Sequence, residues 1–319
     1  MIMQRIMLLM AMMIAAAAVG CGGPASGPSK GTIGVSVLTM TNPFFKEIAD
    51  TITAEAAKHG YATVITSGEF DVARQQNQVK DFIVGKAAAI VLCPCDSRSI
   101  GPAIVEANEA GIPVFTADIA CLAPEAKVVS HVATDNLGGG RQAAEAMIEA
   151  LGDAGGKVVV LDFKQAESCL LRVRGFEEVI AGHNAAHPNA RVEIVARLPG
   201  DGQKDKGFKC TEDSLQSHPD LAGIFAINDP SALGARAALE KAGVADRVKI
   251  VGFDGQIDGR QAIKEGKIFA DPVQFPDKIA ALTVDSILRY FAGEDVPAVQ
   301  LIPTALYRQA DGQRDERLH

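Results

Sequence analysis

The sequence predicts an α/β fold of two tandem lobes, each a parallel sheet covered by helices. Three observations carry this. Short apolar, β-branched runs alternate with helix-periodic runs along most of the chain, as repeated βα units require. The run over 88–93, Ala-Ala-Ile-Val-Leu-Cys, is apolar at every position, as expected for a strand buried on both faces. The chain changes course at Asp135-Asn136, and a second βα series of similar size follows. A length of 319 residues suits two such units.

The first residues are not part of the fold. Residues 1–20 carry one charge, Arg5, then an apolar run that ends in Ala18-Val19-Gly20-Cys21. Small residues before a cut mark a secretory signal, and a Cys directly after them resembles a bacterial lipoprotein signal, with Cys21 as the lipid attachment point. The run is short for a membrane span. Residues 21–30 are rich in Gly, Pro and Ser and read as a flexible tether. An acyl chain at Cys21 would hold the protein at a membrane surface while the lobes stay in water.

Composition narrows the function. A net charge of −8, with no basic run, argues against a nucleic-acid surface. Trp is absent, and Phe and Tyr number 13 and 3, so a ring placed in a pocket comes from a small supply. Five cysteines follow Cys21, an odd number that leaves at least one unpaired within them. Cys95 with Cys121, and Cys169 with Cys210, are candidate bridges. No zinc-ligand spacing occurs among the cysteines, and no metal site is expected.

The predicted elements follow in order. A strand over 33–38 ends at Thr41-Asn42-Pro43-Phe44-Phe45, where a helix opens with Phe45, Ile48, Ala49, Ile52 and Ala56 on one face. Pro43 suits a helix start, having no N–H to leave unpaired. Two rings beside an Asn can present an apolar face and a polar handle, or simply be a core residue and a helix-entry staple. Then come a strand at 62–67, a helix at 72–84, a strand at 88–93, a helix at 100–110 stopped by Gly111, and strands at 113–117 and 128–132. Gly138-Gly139-Gly140 starts a helix that runs to about Leu151. It lacks either phosphate-loop pattern, and close backbone packing is the expected reason for it. The second series has strands at 157–162, 192–198, 223–227, 249–252 and 268–273, with helices at 169–182, before His218, at 231–242 and before 268. The loop 201–207 faintly resembles a calcium loop but has Lys204 and Lys206 and no terminal Glu. A helix at 276–291 follows.

Asn42, Asp118, Asn228, Asp254 and Gln274 each stand at or just past the carboxyl end of a predicted strand, and Arg172 lies in a helix start beyond another. In open α/β sheets ligands bind at these ends. Carboxylates, amides and a guanidinium together suit hydroxyl groups, and the faces of Phe44 and Phe45 suit the C–H side of a ring. Taken singly, each has a plainer role: Asp118 and Asn228 as helix caps, Asp254-Gly255 as a turn, Arg172 as a surface residue.

The ordered set is more specific. Asn42-Pro43-Phe44-Phe45, Ser130-His131 with Asp135-Asn136, Arg172 with Gly175-Phe176, Asn228-Asp229 with Ala232-Leu233-Gly234, Val251-Gly252-Phe253-Asp254-Gly255, and Gln274-Phe275-Pro276 occur in that order. The chain resembles the ribose-binding proteins of bacterial sugar uptake, the type I periplasmic binding fold, over about residues 31–310. The resemblance implies two Rossmann-like, three-layer lobes joined by three crossovers, the first 31–134 plus 275–303 and the second 135–274 plus 304–319. It implies that Asn42 and Asp118 bond a solute, that Phe44 and Phe45 pack on its ring, that Arg172, Asn228 and Asp254 close from the other lobe, and that Gln274 sits at a hinge.

The sequence departs from that pattern twice. Ile119 follows Asp118 where ribose-binding proteins place Arg, and no aromatic stands near Gly202. A ligand with fewer hydroxyls on the Ile119 side is expected, such as a deoxy sugar, a small polyol or another modified carbohydrate. The resemblance further implies an exported, lipid-anchored monomer in the periplasm or on the outer face of the membrane, with no cofactor, that delivers a small carbohydrate or polyol to the membrane permease of an ABC importer. A sensor that shows its closed form to a signalling receptor is the alternative. Neither H-E-x-x-H nor G-x-S-x-G occurs, and an enzyme, with Asp118 and Asp254 as an acid/base pair, is the remote reading.

Overall fold

The computed structural model describes residues 29–318; the predicted signal, most of the tether and Cys21 lie outside them. Elements alternate through the first lobe: β1 (Gly31–Val37), α1 (Pro43–Lys58), β2 (Tyr61–Ser67), α2 (Val72–Val84), β3 (Ala89–Leu92), α3 (Gly101–Glu109), β4 (Val114–Ala117) and β5 (Ser130–Thr134). The second lobe has α4 (Asn136–Leu151), β6 (Gly156–Asp162), α5 (Glu167–Ala186), β7 (Val192–Pro199), α6 (Lys204–Ser217), β8 (Leu221–Ala226), α7 (Asp229–Lys241), β9 (Lys249–Val251), α8 (Ile257–Lys264) and β10 (Ala270–Val273). The chain closes with α9 (Pro276–Phe291), β11 (Val299–Ile302), β12 (Ala305–Arg308) and a single turn, α10 (Gln309–Gly312).

Two six-stranded sheets result, in the orders β11-β5-β4-β3-β1-β2 and β12-β10-β9-β8-β6-β7. In each, the first strand of the series lies between the second and the third, where the strand order reverses, and the polar residues after these parallel strands collect at their shared carboxyl ends. The chain passes between the sheets three times: from β5 to α4, from β10 to α9, which packs on α1, and from β11 to β12. Pairing is parallel except at β12, which runs antiparallel to β10. Sequence reading missed β11 and β12. Both are four-residue edge strands with exposed and half-buried positions, and only their partners define them. The fifth strand also begins two residues later than its apolar run, because Ser130 and His131 pair with β4.

Alternation along the strands fills both faces of each sheet. In the first, Ile33, Val35 and Val37 meet Ile48 and Ile52 of α1 on one face, while Ile90, Leu92 and Val114 meet Val79 and Phe82 of α2 on the other. In the second, Val158 and Val160 face α4 and α5, where Phe176 stacks on Phe225 with centroids 4.4 Å apart. Val159 and Leu161 face α7 and α8.

This layering overturns both candidate disulfides. Cys93, Cys95, Cys121, Cys169 and Cys210 are all free thiols. Cys95 lies in the loop after β3, its N–H bonded to Gln75 Oε1 at 2.7 Å, and packs in a different core cluster from Cys121. Cys169 and Cys210 likewise pack in different core clusters.

The last glycine of the run at the start of α4 is explained by helix packing, while Gly138 and Gly139 make room for Asp135 and the Phe253 ring. A Cβ on Gly140 would lie 2.1 Å from the Arg172 carbonyl oxygen, and one on Gly175 of α5 would lie 2.2 Å from that of Leu137. The two helices touch backbone to backbone, which only glycine permits.

Candidate functional site

Asn42, Phe44, Phe45, Asp118, Ile119, Arg172, Asn228, Asp254 and Gln274 all line one cavity between the lobes, with about 390 Å³ of space free of atoms.

Asn42 ends the loop after β1 and caps α1: its Oδ1 accepts the Phe44 N–H at 3.0 Å. The cap uses the oxygen, and the amide still meets Asp254 of the opposite lobe. Asn228 does the same for α7, accepting the Ser231 N–H at 3.1 Å while its Nδ2 donates to the Gly202 carbonyl at 3.0 Å. Capping and facing the cavity are therefore compatible, because each amide has two ends. Phe44 and Phe45 are both core residues and cavity walls, set edge to face with centroids 5.2 Å apart.

Arg172 is buried rather than on the surface. Its Nε donates to Asn136 Oδ1 at 2.7 Å, and one terminal nitrogen reaches the Ile227 carbonyl at 2.7 Å and Asp254 Oδ1 at 3.3 Å. The guanidinium lies over the Phe253 ring, 4.0 Å from its centroid. Gln274 stands where the chain re-enters the first lobe: it accepts from Thr134 Oγ1 at 2.6 Å and donates to Asp254 Oδ1 at 2.6 Å. Asn136 Nδ2 donates to the Thr134 carbonyl at 3.1 Å. Thr134, Gln274, Asp254, Arg172 and Asn136 thus form a closed ring of hydrogen bonds across two of the three crossings.

The two carboxylates differ. Burial raises the pKa of Asp254, and Arg172, Gln274 and Asn42 oppose it. Asp118 is buried, its Oδ1 accepts no hydrogen bond, and it caps no helix. Burial pushes it up to about 7, against the pull of Arg172. Both have a left-handed backbone, with φ of 63° at Asp118 and 100° at Asp254, a conformation that costs energy outside glycine and clusters at functional positions.

Sequence reading missed part of the wall. Phe70 and Phe163 line the cavity from opposite lobes and meet edge on, centroids 6.0 Å apart. Phe163 directly follows β6, so the strand-end rule applied to Asp118 would have found it. Phe70 lies three residues past β2 and, like Glu69, has positive φ, which composition does not signal. Thr39, Ser168 and Cys169 complete this side. The loop at Gly202 supplies no ring of its own, but Phe70 from the first lobe lines a pocket with it, and a Cβ on Gly202 would press to 3.0 Å from Asn228 Nδ2. The lobes also touch where Ser97 N–H meets the Gln165 carbonyl and Ser97 Oγ accepts the Glu167 N–H, both at 2.9 Å. The cavity is thus roofed by contacts between the lobes. Among the described residues no group of His, Cys, Asp and Glu could hold a metal.

A family model described as a periplasmic binding protein domain matches residues 33–295. The ribose import binding protein of Salmonella typhimurium is 36% identical over 91% of this chain and 94% of its own length. The D-apiose import binding protein of Paraburkholderia graminis is 32% identical over 90% of this chain and 91% of its own. Among solved structures, an ABC transporter solute binding protein from Agrobacterium vitis with bound D-fucose superposes with a TM-score of 0.81 at 30% identity, covering 90% of this chain and 98% of that one.

Proposed function

The chain belongs to the periplasmic binding protein domain family, and on that premise we propose that it is an exported receptor that captures a small carbohydrate or polyol between its lobes and delivers it to an ABC importer. The observation that carries this reading is the single cavity in which hydrogen-bonding groups from both lobes converge beside aromatic faces. Asn42 and Asp118 bond the solute from the first lobe, and Arg172, Asn228 and Asp254 bond it from the second. Phe44, Phe45, Phe70 and Phe163 cover its apolar faces. A ligand that touches both lobes favours the closed state over the open one by its contacts with the far lobe, and Gln274 bends with the crossing that carries it. Divided this way, the lobes are 31–134 plus 275–303 and 135–274 plus 304–319. Export follows from residues 1–20 and the family; the anchor is an acyl chain on Cys21, and the receptor acts as a monomer.

The ligand has an apolar or hydroxyl-free edge toward Ile119. Ile119 is 1% exposed and lines the cavity, so a hydroxyl aimed at it would lose its water partners without gaining a donor or acceptor. A relative of similar fold holds D-fucose, a deoxyhexose, which agrees with such an edge. Thermal-shift measurements with ribose, apiose, allose, fucose and small polyols, together with mass spectrometry of ligand released from the purified protein, test this. The largest shift with ribose and none with deoxy sugars or small polyols would refute the ligand assignment; no shift with any carbohydrate or polyol would refute the function.

A further inference from the structure

Asp229 and Asp271 are buried carboxylic groups outside the cavity lining, and sugar contacts do not account for them. Asp229 is the first residue of α7, a position that usually leaves a carboxylate in water, yet it is 2% exposed; Asp271, in β10, is 0% exposed. The two side chains are in hydrogen-bonding contact. Asp229 Oδ2 accepts the Gln256 N–H at 2.6 Å, but Asp229 Oδ1 and both oxygens of Asp271 have no well-formed donor from the protein. The Gly252 N–H bonds the Ala270 carbonyl at 3.2 Å and also bears on Asp271, where it favours the charged form and opposes the effect of burial. The space around the pair is closed. A Cβ on Gly259 would lie 2.1 Å from Asp229 Oδ1, and one on Gly252 would lie 2.5 Å from Asp271 Oδ1.

Two touching carboxylates in a dry site do not both stay charged, and one proton between them gives a charge-assisted bond and removes the repulsion. The other charged groups that face the pair are Asp254, from the loop after β9, and Arg260, from α8. Arg172 acts on Asp254. Burial and the mutual repulsion hold Asp229 well above the ordinary carboxylate range.

The pair is placed to control the site. Asp229 is next to Asn228. Its bond to Gln256 ties down the loop that holds Asp254 at positive φ. Asp271 lies three residues before Gln274, on the strand whose Pro272 carbonyl accepts the Asp254 N–H at 3.3 Å. We propose that Asp229 and Asp271 share one proton and are a positioning pair that holds Asn228, Asp254 and Gln274 in place for the ligand, so that loss of this proton weakens binding. The positioning role rests on the function proposed above; the shared proton does not.

Isothermal titration with D-ribose, D-allose and D-fucose from acid to alkaline pH tests it. Above the pH at which the proton leaves, affinity falls by about tenfold per pH unit, as expected when only the protonated pair binds. In Asp271→Asn an amide N–H replaces the proton, and the alkaline fall disappears; Asp229→Asn behaves likewise and serves if the first variant does not fold. Carboxyl-carbon NMR of the ligand-free protein supplies the independent arm, with two linked titration steps expected, the second far above the ordinary carboxylate range. Two ordinary, independent carboxylate titrations overturn the shared proton. An alkaline fall that persists in both variants, or no fall in the wild type, overturns the positioning role. Should no carbohydrate or polyol bind, the proposed function and the positioning role fall together, and the NMR still decides the proton.

Discussion

Arg172 and Asp254 form a buried ion pair, 3.3 Å between terminal nitrogen and Oδ1, with side chains 4% and 3% exposed. The same oxygen accepts from Gln274 at 2.6 Å, so the pair is part of the joint between the lobes. Removing one partner of a buried pair leaves an uncompensated charge and costs about 3–5 kcal/mol. Arg172→Met is therefore expected to lower unfolding stability in urea by that order and to abolish binding in titration. Arg172→Lys rescues neither fully, because a lysine cannot meet Asn136, the Ile227 carbonyl and Asp254 from one planar fork.

Asn42 has two functions that substitution separates. Asn42→Ala loses the helix cap, about 1 kcal/mol, as well as the amide that faces Asp254. Asn42→Ser keeps a capping oxygen but has no amide. Its stability should stay within a few tenths of a kcal/mol of the wild type, while solute affinity falls as it does in the Ala variant. Chemical denaturation and calorimetric titration on both variants check this; full affinity in Asn42→Ser would leave Asn42 as a cap alone.

Asp118 makes the empty protein sensitive to pH. Its folded pKa of about 7 lies above the unfolded value, so the native state holds a proton that the unfolded chain has already released. Stability then falls as pH rises from the unfolded pKa through about 7 and levels off above it. Asp118→Asn should flatten that slope in melting curves. Solute hydroxyls donate to the ionised form, so affinity should rise with pH over the same range, on the opposite limb from the fall set by Asp229 and Asp271.

Phe70 and Phe163 meet across the cleft between the lobes. Phe70→Ala should lower the unfolding midpoint only modestly, since Phe70 is a partly buried loop residue at the edge of the core. It should speed solute release about two- to tenfold, the worth of an aromatic pair of about 0.5–1.5 kcal/mol. Stopped-flow dissociation is the measurement, and a rate equal to wild type would show that the contact does not hold the cleft.

Gly140 tests the coupling between helix packing and the site. Gly140→Ala forces a methyl against the Arg172 backbone, and overpacking of this kind costs about 1–3 kcal/mol. Because the displaced residue is Arg172, affinity should fall together with stability. Gly182, on the same helix with open space around it, is the control: alanine there should leave affinity unaltered.

The sequence by itself determined the layers, the order of elements from β1 to β10, and the cavity-facing position of Asn42, Asp118, Asn228, Asp254 and Gln274. These are local facts: a strand buried on both faces must be apolar, and a βα turn places its polar residue at the carboxyl edge. Tertiary structure alone decided what depends on partners distant in sequence. The edge strands β11 and β12 exist only through pairing with β5 and β10. The cysteines stay apart because the members of each candidate pair pack in different core clusters. Phe70 reaches Phe163 because left-handed residues turn its loop over the cleft. The contact between Asp229 and Asp271 comes from a helix start and a strand 42 positions apart, brought together by the stacking of β8, β9 and β10, and no local pattern in the chain records the proton they would share.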